Sequence, residues 1–409
     1  MAVTEHAKPA GSSWSALRYP DFRWMATAQF ISYMGSWMQL AAVNWHVYAL
    51  TKDPAALGLV GLVRVVPIIV LSLFGGVLAD AVDRRRLMTV TSAAMAIVAF
   101  ALGLITLSGG VTLGLLYAAT ALMAGLSAFD KPAWGALLPN LVPSTEVGNA
   151  VRLNVVIIQI TAVAGPAFAG LLLALINPGG AYLFNALSFV PVIVALTVIH
   201  VQPLRVSERV AFSTDALLEG LRFVKRTPLL WSTMVLDFFA TFFASATALL
   251  PVYASDILKV GEVGYGLLYA APAVGATVGA LAMAQIGARL KRQGIVLLGS
   301  VAVFGASTVI FGLSTAFVLS MLALAVMGLA DAISMVIRNA LRQLLTPDSM
   351  RGRMVSFNQI FFMGGPQLGE LEAGLVARAF GAPFSVISGG IGAMLVVAVM
   401  WARVPVLRN

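Results

Sequence analysis

The sequence predicts an all-α integral membrane protein: twelve transmembrane helices in two pseudo-symmetric six-helix lobes. Three observations predict it. Hydrophobic residues make up 60% of the chain and charged residues 11%, with a mean hydropathy of +0.93, against roughly 45–50% and 25% in a soluble domain. Apolar stretches long enough to cross a bilayer, about 20 residues each, recur along the whole chain. The second half also repeats features of the first.

The predicted spans are 24–50, 55–79, 87–108, 112–137, 151–175, 180–201, 229–255, 263–287, 294–314, 317–341, 355–379 and 382–403. With the amino terminus inside, all of the 26 Lys and Arg except Lys52, Arg64, Lys259 and Arg378 fall at cytoplasmic ends or loops. This is the positive-inside pattern, and it predicts a multi-pass protein of the bacterial inner membrane with both termini cytoplasmic. The net charge of +9 is therefore a topology signal, and no nucleic-acid partner is expected. There is no cysteine, hence no thiolate or disulfide chemistry. His6, His46 and His200 are too scattered to converge on a metal.

Segment 1–23 reads as a cytoplasmic lead, 24–201 as the first lobe, 202–228 as a cytoplasmic linker, 229–403 as the second lobe and 404–409 as a cytoplasmic tail. The linker carries an amphipathic pattern at Phe212, Leu217, Leu218, Leu221 and Val224. "ALLPNLVP" at 136–143 matches "ALRQLLTP" at 340–347, and the same offset of 204 pairs Gly148 with Gly352, Asn154 with Asn358, Gly165 with Gly369 and Gly170 with Gly374. "GLVRVVPIIVLSLFGG" at 61–76 resembles "GLLYAAPAVGATVGA" at 266–280, pairing Pro67 with Pro272. Parallel six-helix repeats are a transporter architecture with the substrate site between the halves.

"GGVLADAVDRRRLM", 75–88, is similar to the loop signature G-x-L-A-D-x-x-G-R-[RK] of the major facilitator superfamily. Gly76, Leu78, Ala79, Asp80, Arg84 and Arg85 match, while Asp83 replaces the second glycine and alters the turn. "AGPAFAG", 164–170, resembles the superfamily's helix-five antiporter element G-P-x-x-G-G through Gly165, Pro166 and Gly170, with Ala169 in place of a glycine. "GLADAISMVIRNALRQLLTPDSMRGRMVSFNQ" and "GELEAG" look most like bacterial enterobactin-exporter and macrolide-type efflux proteins. The resemblance implies the major facilitator fold, alternating access, and a loop that latches the cytoplasmic side through Gly76, Asp80 and Arg84 to Arg86.

Ionisable groups inside a membrane cost roughly 2.5–3.5 kcal/mol each on insertion scales and are functional by default. They are Arg64, Asp237, Asp331, Glu370 and Glu372. Arg64 and Glu370 each lie nine positions from the outer end of their predicted helices, so both sit about 13 Å below that surface. In the resembled fold, helices two and eleven face each other, and Arg64 with a helix-eleven glutamate forms an outer gate, closing as a charge pair and opening on protonation. Glu370 and Glu372 point about 200° apart on a regular helix, unless "GGP" at 364–366 breaks it. Asp237 faces either the cavity or a neighbouring helix. Asp130 is expected at a helix end marked by Pro132, in a salt bridge with Lys131 or with Arg84 to Arg86. Phe238, Phe242 and Phe361 are candidates for an aromatic cavity suited to amphipathic or cationic molecules.

The expected function is proton-coupled export of a small amphipathic organic compound, drug-like or siderophore, by a monomer. Protons enter through Glu370, Glu372 or Asp331. Partners are the substrate, protons and the bilayer, with no cofactor or metal. ATP is not expected, because no G-x-x-x-x-G-K-[ST] loop exists in the sequence. The alternatives are a proton-coupled nutrient importer and a lipid flippase or scramblase. An enzyme is not expected, because no nucleophile, metal cluster or cofactor loop accompanies the carboxylates.

Overall fold

The computed structural model describes residues 14–199, 222–225, 227–347 and 351–405, and their side chains except those of 72–81, 288 and 351–363. Most of the expected linker, the lead to residue 13 and the tail from 406 lie outside the described residues. The first lobe holds α1 (Pro20–Thr51), α2 (Pro54–Ala81), α3 (Arg84–Leu107), α4 (Leu113–Leu137), α5 (Val147–Ile176) and α6, in two pieces, Pro178–Ser188 and Val190–Val198. The second holds α7 (Pro228–Phe243), which continues through short coils to Ile257, then α8 (Gly261–Ile286), α9 (Gln293–Leu313), α10 (Phe317–Leu345), α11 (Arg351–Phe380) and α12 (Ala382–Arg403). Ten spans among the described residues are long and apolar enough to cross a membrane. The 32-residue α1 falls below that hydropathy because it buries Gln29, Gln39, Asn44 and His46.

Successive helices run in opposite directions, so one end of the bundle collects Arg84 to Arg86, Arg289 and Arg403. We call it the basic end. At the far end the chain turns tightly. Lys52, Gly109, Asn177, Lys259, Gly261 and Gly381, all the positive-φ residues among those described, lie there. Local capping fits this picture: Asn177 Oδ1 accepts from the Gly179 N–H at 2.8 Å, and Thr112 Oγ1 accepts from Leu115 at 3.3 Å.

Two seams join the lobes, α5 against α8 and α2 against α11. Both close through glycine. A methyl at Gly170 would stand 2.6 Å from the Glu262 carbonyl oxygen and 2.9 Å from Gly266 Cα; one at Gly374 would stand 2.6 Å from the Pro54 carbonyl oxygen and 2.9 Å from Gly58 Cα. Gly266 meets the Pro166 carbonyl, and Gly58 meets the Glu370 carbonyl. Pro166 therefore answers to Glu370 and Gly170 to Gly374, as the offset of 204 predicts. On the partner helices Pro54 answers to Glu262 and Gly58 to Gly266, an offset of 208. The offset pairing Pro67 with Pro272 is corrected by about one helical turn. Aligned Gly and Ala are too common in such helices to set register unaided.

The helix end expected at Pro132 and the alternative break at 364–366 are both absent. α4 runs through Pro132 to Leu137, so Asp130 lies within the helix rather than at its end. α11 is continuous through Gly364, Gly365 and Pro366. Pro366 lacks only its own N–H, and its carbonyl accepts from Ser245 Oγ at 3.2 Å, while Gly365 and Gly369 seat that turn on the α7 backbone at Phe238 and Phe242.

Candidate functional site

The α2–α11 seam brings the expected gate residues together. Glu370 Oε2 lies where a side chain on Gly61 would stand, 2.5 Å from that methyl position, so Gly61 makes room for the carboxylate. Arg64, one turn further along α2, acts electrostatically on Glu370 and also on Lys131 of α4. The two do not form a direct ion pair: among the described residues no hydrogen bond or salt bridge reaches the Arg64 guanidinium. Tyr269 of α8 lies in the field of both charges and beside Asn44 of α1. The apex between the lobes thus joins α1, α2, α8 and α11. One turn before Glu370, the Gln367 Oε1 atom is buried without a hydrogen-bond partner among the described residues. Glu372 is half-buried and, as the 200° spacing requires, does not share the face of Glu370; it makes no ion pair among the described residues.

Further contacts fasten the same end. Tyr265 Oη donates to the Ala41 carbonyl at 2.9 Å, and its ring lies 5.1 Å from that of Trp45. Tyr48 donates to Asp256. Arg378 reaches Asp53 at 3.5 Å, with both side chains partly exposed. Each of these links one lobe to the other.

A second cluster lies within the second lobe. Arg338 of α10 pairs with Asp237 of α7 and stands 3.8 Å from Asp331. Asp331 and Arg338, seven positions apart, share one face of α10. Asp237 and Arg338 side chains are 13% and 10% exposed and Asp331 is 46% exposed, so Asp331 is the carboxylate open to its surroundings. Arg342, one turn beyond Arg338, donates to Asn339 Oδ1 at 2.6 Å. The sequence reading placed Asp237 and Asp331 singly. The i, i+7 spacing to Arg338 was the available signal that α10 is a charged stripe; the reach to α7 had none.

The expected latch loop is anchored within the first lobe. Asp83 Oδ1 accepts from the Arg85 N–H at 2.8 Å, so the residue that departs from the motif caps α3. The Arg84 side chain donates to the Ala136 carbonyl at 3.1 Å, and Arg85 donates Nε and Nη2 to the Leu196 carbonyl at 3.0 and 2.5 Å. Arg86 is exposed. Asp130 accepts from Thr91 Oγ1 at 2.9 Å, with the Lys131 charge nearby; this corrects the expected salt bridge, because a neighbouring hydroxyl on α3 reaches the carboxylate. The side chains of Gly76, Asp80 and Phe361 lie outside the described residues. Gly165 lets α1 approach at Trp37 and Met34. Phe238 and Phe242 stack at 6.2 Å along α7, where their backbone supports α11.

Three comparisons bear on these features. The profile of the family described as transmembrane secretion effector matches residues 11–409. The chain is 26% identical to the multidrug efflux pump Tap of Mycolicibacterium fortuitum, over 92% of this chain and 93% of that protein. It is 24% identical to the enterobactin exporter EntS of Escherichia coli O1:K1, over 92% and 90% of the two chains. Its fold matches that of a bacterial homologue of the human lysosomal transporter Spinster, in an inward-facing and unoccupied conformation, at a TM-score of 0.73 and 14% identity, covering 93% of this chain and 96% of the other.

Proposed function

We propose, from the premise that this chain belongs to the transmembrane secretion effector family of major facilitator transporters, that it exports small amphipathic organic molecules in exchange for protons by alternating access. It is a transporter and not an enzyme. The observation that carries the proposal is the placing of Arg64 and Glu370, from opposite lobes, at the seam that closes one end. A charge pair across a moving contact is weakened when its carboxylate takes a proton, so protonation and lobe separation are linked through the same residues. The basic end is taken as cytoplasmic, in a bacterial inner membrane, which makes the closed far end the outer one. Asp331, open beside Arg338, supplies a second exchange site within the second lobe. The efflux relatives are named for multiple drugs and for enterobactin, and a drug-like or siderophore substrate is the reading carried over here.

The test is transport-linked proton movement in proteoliposomes, read by an internal pH dye while cationic drugs and siderophores are added. Substrate-dependent proton movement is expected in the wild type and lost in Glu370→Gln with substrate binding retained. Unchanged movement in Glu370→Gln, Glu372→Gln and Asp331→Asn removes the coupling role from all three. Accumulation under the opposite pH gradient indicates an importer, and transport that tracks lipid composition indicates a flippase.

A further inference from the structure

α4 divides its faces by chemistry. Leu115 and Leu122 are exposed and mark the stripe that meets lipid. At about 100° per residue, Lys131 lies roughly 160° and 180° from them, on the opposite face. Along that inner face Thr120 and Ala124, nearer the far end, are buried, whereas Lys131 and Gly135 are exposed. A methyl at Gly135 would have nothing within 4 Å. Exposure on the face turned away from lipid marks an open cleft, and it widens toward the basic end. Lys131 lies six positions before Leu137, about 9 Å inside that end. Side chains lean toward the amino end of their helix, and α4 begins at the far end, so the ammonium leans inward. Two carboxylates stand nearby, and both are placed elsewhere: Asp130 accepts from Thr91 of α3, and Glu370 occupies the notch at Gly61. Among the described residues no hydrogen bond or ion pair reaches Lys131 or Arg64, and at Lys131 the charge of Arg64 outweighs that of Asp130. The α7–α10 cluster, by contrast, is balanced, with Asp237 and Asp331 set against Arg338 and Arg342.

We propose that Lys131 is the anion-recognising residue of this cleft, taking the acidic group of an amphipathic molecule, a carboxylate or phosphate on an aromatic or apolar body. An ammonium has three donors and no acceptor, so it distinguishes an acid from an amine. Tyr33 of α1, half-buried and in the field of Asp130, offers an aromatic surface on the same side. The acid comes either from solution, as a cargo molecule, or from the bilayer, as an anionic lipid headgroup. As a cargo site it rests on the export reading and narrows the substrate to acids. Binding is measured without transport: lost proton coupling with binding intact fails the export reading alone, and lost binding with proton movement intact fails this one alone.

The experiment is calorimetric titration of the full-length protein, in nanodiscs of zwitterionic phosphatidylcholine, with 2-naphthoate and with 2-naphthylmethylammonium, a pair alike in body and opposite in charge. The naphthoate is expected to bind and the ammonium not. Lys131→Gln should weaken naphthoate binding roughly tenfold, the loss of one charge-assisted contact, and Lys131→Glu should move the preference to the ammonium. Gly135→Phe keeps every charge and fills the space one turn away, so it should block the naphthoate as well. With nothing within 4 Å of a methyl there, that variant is expected to fold, and it decides the matter where thermal melting shows Lys131→Gln unfolded. Competition by phosphatidylglycerol in the nanodisc assigns the site to lipid; insensitivity to it assigns the site to a soluble acid. Equal binding of the ammonium, or naphthoate affinity unchanged in well-folded Lys131→Gln or Gly135→Phe, overturns the proposal.

Discussion

The two seams between the lobes are built alike and charged differently. At α5–α8 and at α2–α11 the same four positions meet, a backbone carbonyl one turn from a glycine on each helix. The packing has been duplicated position for position. At the first seam the position answering to Glu370 is Pro166, and the register that pairs Gly58 with Gly266 pairs Arg64 with Pro272. One seam carries two prolines where the other carries an arginine and a glutamate. Close approach is therefore a property of both seams, while the facing arginine and glutamate belong to one of them.

The largest effects should break what the seams share. Gly170→Leu and Gly374→Leu each push a branched side chain into a backbone already at contact distance, and overpacking of this kind costs about 1–3 kcal/mol. Both should block closure of the far end. Cysteines placed at Asp53 and Arg378 in this otherwise cysteine-free chain should be bridged by a bis-thiol-reactive linker about as long as the arginine side chain in the parent and fail to be bridged in either variant. A difference between the two variants would mean that one seam alone closes the molecule.

Intermediate effects should expose the asymmetry. Arg64→Gln is expected to slow substrate export roughly tenfold, about 1.4 kcal/mol in the limiting barrier. Pro272→Ala should change the rate by less than about threefold. Initial rates in proteoliposomes decide it, and equal losses would show that the charge at Arg64 contributes nothing beyond shape. The smallest effect should come from Arg378→Gln. Its bond to Asp53 joins the lobes at the rim, but Arg378 is 66% exposed, and such pairs contribute about 0–1 kcal/mol. A melting temperature within a degree or two of the parent is expected; a fall of more than about 5 °C would make the rim pair a true fastening.

Much of this was legible from composition and period alone, because a bilayer leaves few ways to satisfy a backbone. The spans and the alternation of basic and far ends follow from that constraint, while the facing of Arg64 and Glu370 comes from the resemblance to the major facilitator fold. Less legible was whatever depends on which neighbour is nearest. Pro132 reads as a helix end and Pro366 as the site of an alternative break in sequence, yet packing holds both inside continuous helices. Asp130 has several basic residues within reach on paper and a threonine in space. Arg338 reads as one more basic residue toward a cytoplasmic helix end until α7 supplies Asp237. Lys131, Tyr269 and Asn44 carry no motif, and each belongs to the apex through the packing of helices distant in sequence.

The three arginines of the α2–α3 loop act at two different moments. While the chain is being threaded into the bilayer, none of its partners yet exists, and all three resist crossing, which fixes the direction of the helices on either side. Once α4 and α6 have arrived, Arg84 and Arg85 turn to the carbonyls of Ala136 and Leu196, leaving Arg86 exposed. Leu196 lies two positions before the end of α6 at Val198. Two of these three charges thus become, in the finished protein, the fastening that ties the start of α3 to the ends of α4 and α6.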